Sequence, residues 1–155
     1  MNEIDLIRSM VIAPALSAIG AYSDEALDMV LVTGAAESLY QHTRQVGGPA
    51  LGWWQMEPAT HNDIWSHYLG PTHRQHLLDG LQEISRRPGV SADLEVNPWY
   101  AAAMTRIHYM RFREALPPAG DRVAQGRYWK KYYNTSAGRG TTDGFLQKVH
   151  AVIDA

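Results

Sequence analysis

The sequence predicts one mainly α domain, with a small β-hairpin near residues 44–55 as its only extended structure. Three observations lead there. Apolar residues recur at helical spacing over most of the chain. Pro and Gly pairs punctuate those stretches at intervals suited to helix connections. No alternating run is long enough to build a sheet, and no internal repeat is present. A chain of 155 residues fits a single domain, 1–155, with a respectable core.

In chain order, Glu3 to Ile19 has Ile4, Leu6, Ile7, Met10, Val11 and Leu16 at approximately helical positions, interrupted at Pro14 and stopped at Gly20. Ser23, Asp24 and Glu25 form a good helix start, because a hydroxyl caps free amides and acids favour the first turn. That helix is expected to run towards Gln41. Val46 to Met56 reads as a loop or small hairpin. Pro58 opens a short helix reaching Tyr68, and Gly70-Pro71 ends it. Thr72 to Arg87 places Leu77, Leu78, Leu81 and Ile84 on one face, and Pro88-Gly89 closes it. Asn97-Pro98 opens a long helix, Trp99 to Leu116, which Pro117-Pro118 terminates. Asp121 to Tyr133 and Thr142 to Ile153 are the last two helices, separated by the turn NTSAGRG.

Composition narrows the function. Hydrophobic residues make up 45% and charged residues 19%, as in ordinary globular proteins. A formal net charge of -2, with basic pairs no longer than Arg86-Arg87 or Lys130-Lys131, argues against a nucleic-acid partner. The absence of cysteine excludes disulfides, thiol nucleophiles and cysteine-bound zinc. No apolar run approaches the roughly 18 residues of a membrane span, and Glu3 with Asp5 opposes a secretory leader.

The unusual residues concentrate in Gly47 to Thr60, GGPALGWWQMEPAT, where the polar Gln55 among aromatic and Met side chains suits a groove wall. Ten residues upstream of it, Glu37 lies in the small, apolar run VTGAAES, near the C-terminal end of its helix. Burial and the helix dipole both disfavour its ionised form, which marks it as a candidate acid catalyst. Alternative chemistries have weaker signals. His61, Asp63 and His67, or His73 and His76, have spacings that a metal site can use, but no His-Glu-x-x-His pattern exists and their segments read as exposed faces. Gly138-Arg139-Gly140 lacks the strand and Gly-Lys-Ser/Thr of a phosphate loop, and no Gly-x-Ser-x-Gly elbow is present. No metal or cofactor is therefore expected.

Four pieces then occur in order: Glu37-Ser38; Gly52-Trp53-Trp54-Gln55-Met56-Glu57-Pro58-Ala59-Thr60; Asn97 to Tyr109; and Tyr132-Tyr133-Asn134-Thr135-Ser136-Ala137-Gly138. Together they resemble the soluble lytic transglycosylases and the goose-type lysozymes of the same superfamily. Those proteins have a helix ending in Glu-Ser, a Gly-Leu-Met-Gln stretch running into Met-Pro-Ala-Thr, an Asn-initiated helix and a Tyr-Asn-Ala-Gly turn. The likeness spans about residues 25–150. It implies a lysozyme-like helical fold and cleavage of the β-1,4 bond between N-acetylmuramic acid and N-acetylglucosamine in peptidoglycan. Glu37 takes the place of the general acid, Gln55 that of the groove glutamine, and Tyr133 with Asn134 that of the Tyr-Asn facing the acid. One of the two tryptophans is expected in the core and the other, Trp54, on the substrate groove.

The departures bear on the reaction. Trp53-Trp54 replaces Leu-Met, Val46 or a neighbour stands where the groove serine is usual, and the turn after Asn134 is two residues longer. Glu57 replaces Met two places after Gln55, where goose-type lysozymes carry an acid. Lytic transglycosylases resemble one-carboxylate enzymes that let the substrate's 6-hydroxyl attack. A second carboxylate at Glu57 can instead hold a water, as an inverting hydrolase does with carboxyls about 6.5–9.5 Å apart. Both reactions stay open, with Glu57 inclining the reading to hydrolysis. Its bland alternative is a helix start favoured by the dipole. For Tyr133 the alternative is a packing residue whose hydroxyl finds a backbone partner. Size, likeness and lack of a leader suit a phage enzyme made in the cytoplasm and released by a holin or carried in the particle. A non-catalytic phage structural or glycan-binding protein with this fold is the rival, and an unrelated helical binding module the third reading.

Overall fold

The computed structural model describes residues 1–70 and 74–155. It is mainly helical, with eight helices among the described residues. Helix α1 runs through Glu3–Leu6, a π-helical segment Ile7–Ile12, and Ala13–Ala18. Helix α2 is Asp24–Ser38. Helix α3 is Pro58–Asp63 and continues as a π-helical segment Ile64–Tyr68. Then come α4 (Gln75–Ile84), α5 (Asp93–Val96) and α6 (Pro98–Met110). Helix α7 is Arg122–Trp129 with a π-helical end Lys130–Asn134, and α8 is Thr142–Val149 with the end His150–Asp154. None is long and apolar enough to cross a membrane.

Local chemistry places the helix starts where the sequence puts them. Ser23 accepts from the amide of Ala26, and Asn97 from that of Tyr100, satisfying donors that the first turn leaves free. Pro58 and Pro98 occupy opening positions, where a missing N–H costs nothing. Asp121 and Thr141 cap α7 and α8 in the same way.

Pro14 does not break α1. The preceding turns widen into the π-helical segment, which absorbs the ring. Proline also cannot supply the amide that an α-helix would give to the carbonyl four residues earlier. That carbonyl, on Met10, instead accepts the indole N–H of Trp99 from the first turn of α6, at 2.9 Å.

The expected helix ends move inward at three places. α2 stops at Ser38 rather than Gln41, because Leu39 and Tyr40 both adopt left-handed backbone, with φ of 55° and 56°. α4 stops at Ile84, where Ser85 turns extended and bonds Asp93 at 2.6 Å. α6 stops at Met110, and Phe112 swings out to stack on Tyr132 with ring centroids 4.3 Å apart. The expected start of α4 at Thr72 lies outside the described residues.

The core forms around α2 and α6. Residues 29–36 of α2 are buried on every side, as are Tyr100 to Met104 and Ile107 of α6. The two helices are tied by the hydroxyls of Thr33 and Tyr109, 2.9 Å apart. Ile7, Ile12, Leu16 and Ile19 of α1, Leu77 and Leu81 of α4, and Phe145 of α8 close around them. Each such side chain contributes about 1.5–3 kcal/mol on burial. The hairpin is minimal: single antiparallel bridges pair Arg44 with Leu51 and Leu51 with Met56.

Candidate active site

Glu37 occupies the last turn of α2. Ser38 terminates that turn: its hydroxyl bonds the Gly34 carbonyl at 3.3 Å and accepts the Tyr40 amide at 3.1 Å. The chain then reverses through its two left-handed residues, which is possible because the Tyr40 ring lies directly against Gly34 and its hydroxyl bonds the Leu31 carbonyl at 2.8 Å. The Glu-Ser pair thus divides its labour. Serine ends the helix, and the glutamate is left facing a groove of about 830 Å³.

Burial pushes the Glu37 carboxyl up to about 7, against the lowering effects of the Trp129 indole N–H and the Lys148 ammonium. The indole nitrogen lies 2.8 Å from Oε2 of Glu37. Lys148, from α8, donates to the Ala36 carbonyl at 3.3 Å and so sits at the same helix end. A carboxyl with this midpoint is an acid that still carries its proton near neutral pH.

The opposite wall is the hairpin. Gly52 turns it with φ of 78°, and a Cβ there would lie 2.4 Å from the Leu94 carbonyl, so glycine is required twice over. Gln55 adopts φ of 50° and ties its side-chain amide back to the Gly52 carbonyl at 2.9 Å. The turn presents Gln55 and Glu57 to the groove that Glu37 enters. Glu57 occupies the cap position of α3, yet its side chain makes no capping bond and is exposed. Its backbone starts the helix while its carboxylate stays available to the groove.

Tyr133 and Asn134, at the end of α7, complete the ring of expected residues. The Tyr133 hydroxyl donates to the Trp54 carbonyl, so it clamps the hairpin, and only the ring is offered to a ligand. Burial, then the nearby Glu37, hold that hydroxyl well above its ordinary range. Asn134 accepts from Lys130 at 2.7 Å, and Lys130 reaches on to the Gly138 carbonyl at 3.1 Å. Asn134 is therefore the support on which the turn 135–140 is folded.

Trp54 is not a groove residue. It is 1% exposed, and its indole N–H donates to the Val30 carbonyl at 2.8 Å. With that acceptor satisfied the whole side chain can be buried. It packs edge-on against Tyr40 and Trp53, and neither tryptophan lines the groove.

The histidine clusters do not assemble. His61, expected on an exposed face, is fully buried and bonds the Tyr100 hydroxyl at 2.7 Å, while His67 pairs with Asp63 at 2.9 Å on the surface. Among the described residues no three His, Asp or Glu side chains converge as a metal-ligand set. The pair involving His73 lies outside the described residues.

Three contributors were not singled out as site residues from the sequence: Trp129, Lys148 and His108. Trp129 stands four residues before Tyr133, one helical turn, so that spacing could have revealed it. Lys148 comes from α8 and has no local signal. His108 lies on α6. It packs edge-on against Tyr133 at 4.8 Å, with one ring nitrogen on the Tyr132 carbonyl and the other 2.6 Å from Arg111. Burial and then Arg111 hold it down at about 4, so it stays neutral.

A scan of protein-family models and searches of curated proteins and of solved structures find no match to this chain.

Proposed function

We propose that this protein is a lysozyme-like glycosidase that cleaves the β-1,4 bond between N-acetylmuramic acid and N-acetylglucosamine in bacterial peptidoglycan. The observation that carries the proposal is a half-buried carboxyl pushed up to about 7, opening on a groove shared with Gln55, Tyr133 and Asn134. Four sequence pieces that resemble lytic transglycosylases and goose-type lysozymes thus supply residues to one cavity.

In this reading Glu37 protonates the glycosidic oxygen as its bond to the anomeric carbon breaks. Gln55 and the Tyr133 ring hold the sugar. The cation developing at that carbon needs either a water or the substrate's own 6-hydroxyl. Glu57, on the groove and unused by its helix, favours a water. Action on the cell wall as a phage enzyme, released by a holin or carried in the particle, is part of the same proposal.

The test is digestion of purified peptidoglycan by the wild type and by Glu37→Gln, with mass analysis of the fragments. Reducing ends from the wild type alone support hydrolysis, and 1,6-anhydro ends support transglycosylation. Undiminished lysis by Glu37→Gln removes Glu37 from the mechanism. Intact glycan with both proteins favours the non-catalytic rival.

A further inference from the structure

An indole N–H can only donate. Trp129 directs it at one oxygen of Glu37, Oε2, at 2.8 Å. The other oxygen, Oε1, has no hydrogen-bond partner among the described residues. It is also not among the buried polar atoms left without one, so it opens on the groove. The two oxygens of one carboxyl therefore have different surroundings.

The indole is held in place. Trp129 is 3% exposed, and Phe145 packs on it with ring centroids 5.3 Å apart and planes inclined by 38°. The backbone at Gly140 passes its outer edge so closely that a Cβ there would lie 2.5 Å from Cη2. His108, on the same groove, has both ring nitrogens engaged, by the Tyr132 carbonyl and Arg111, and the three further ionisable groups coupled to Glu37 are engaged elsewhere. Lys148 donates to Ala36, Tyr133 to Trp54, and Tyr109 bonds Thr33.

A carbonyl-type oxygen accepts better than the hydroxyl oxygen of the same carboxylic acid. We propose that Trp129 is a positioning residue that assigns the acid proton of Glu37 to Oε1, the oxygen facing the groove. When that proton leaves, the negative charge remains on a carboxylate already facing the indole. The neutral hydrogen bond then becomes a stronger, charge-assisted one. Trp129 thereby both aims the proton and eases its release. Delivery to a glycosidic oxygen rests on the function proposed above, but the placement of the proton does not.

The experiment follows the Trp129 indole N–H resonance, identified by its loss in Trp129→Phe, as pH is varied. In the wild type it shifts with the midpoint of Glu37, about 7. In Glu37→Gln, whose amide oxygen still accepts, it stays flat. In Trp129→Phe the carboxyl carbon resonance of Glu37 titrates about 1 pH unit higher, because a hydrogen bond to the charged form is gone. An indole resonance that ignores pH in the wild type overturns the proposal, as does an unchanged Glu37 midpoint in folded Trp129→Phe. If that variant does not fold, the comparison of wild type with Glu37→Gln decides alone. These readouts need no turnover. A protein that shows them yet leaves peptidoglycan intact overturns the glycosidase reading and keeps the role of Trp129.

Discussion

Glu37 and His108 line the same groove, and burial drives both to their neutral forms from opposite sides, Glu37 up to about 7 and His108 down to about 4. Their effects on stability oppose each other. Between the ordinary carboxyl value of 4.5 and about 7, folded Glu37 holds a proton that the unfolded chain has lost, so stability falls as pH rises. Between the ordinary imidazole value of 6.5 and about 4, the unfolded chain takes a proton that folded His108 refuses, so stability falls as pH drops.

Glu37→Gln removes the first slope and exposes the second. Urea midpoints for this variant rise from about pH 4 to about pH 6.5 more steeply than those of the wild type. At about pH 8 the variant is more stable than the wild type by about 3 kcal/mol. Parallel curves for the two proteins would contradict the burial of this carboxyl.

Gly34→Ala is expected to destabilise, although alanine is the better helix former by about 1 kcal/mol. A Cβ at this position would lie 2.3 Å from the ring of Tyr40, which is buried and bonded to Leu31. Overpacking costs of about 1–3 kcal/mol exceed the helical gain. Denaturant unfolding should show a net loss of about 1–2 kcal/mol, partly recovered when Tyr40→Leu is added.

Trp54→Phe tests the removal of this residue from the groove. If the proposed function holds, it leaves the apparent affinity for glycan unchanged, and in any case it lowers stability by about 2 kcal/mol, since a buried hydrogen bond and ring volume are both lost. A weakened affinity in a protein of normal stability would return Trp54 to the substrate.

Glu57→Gln separates the two reactions. Stability stays within about 0.5 kcal/mol of the wild type, because the side chain makes no capping bond. Hydrolysis falls by about 100-fold if its carboxylate holds the water. Equal rates with 1,6-anhydro products would leave Glu57 as only the start of α3.

The parts legible in the sequence are those decided by neighbouring residues. Ser23 and Asn97 announce their helices because a cap acts within three residues. Glu37 stood out because the small residues around it promised burial. What long-range packing decides was not legible. The spacing from Tyr133 points Trp129 towards the groove, but its bond to Glu37, 92 residues away, follows from packing alone. Trp53 and Trp54 look equivalent in sequence, but only Trp54 finds a carbonyl of α2 within reach of its N–H. His61 reads as a surface residue until Tyr100 supplies its buried partner.

The bond from Trp99 to the Met10 carbonyl shows what Pro14 achieves. A residue usually taken as the end of a helix here frees an acceptor, and a distant tryptophan uses it to fasten the first helix to the central one. The segment that precedes residues 25–150, the stretch in which the four sequence pieces fall, is thereby built into the body of the fold rather than trailing from it. Trimming the chain back to that stretch would strip α6 of its anchor and expose the core that Ile7, Ile12 and Leu16 now cover. A minimal fragment designed from sequence likeness alone would be cut in the wrong place.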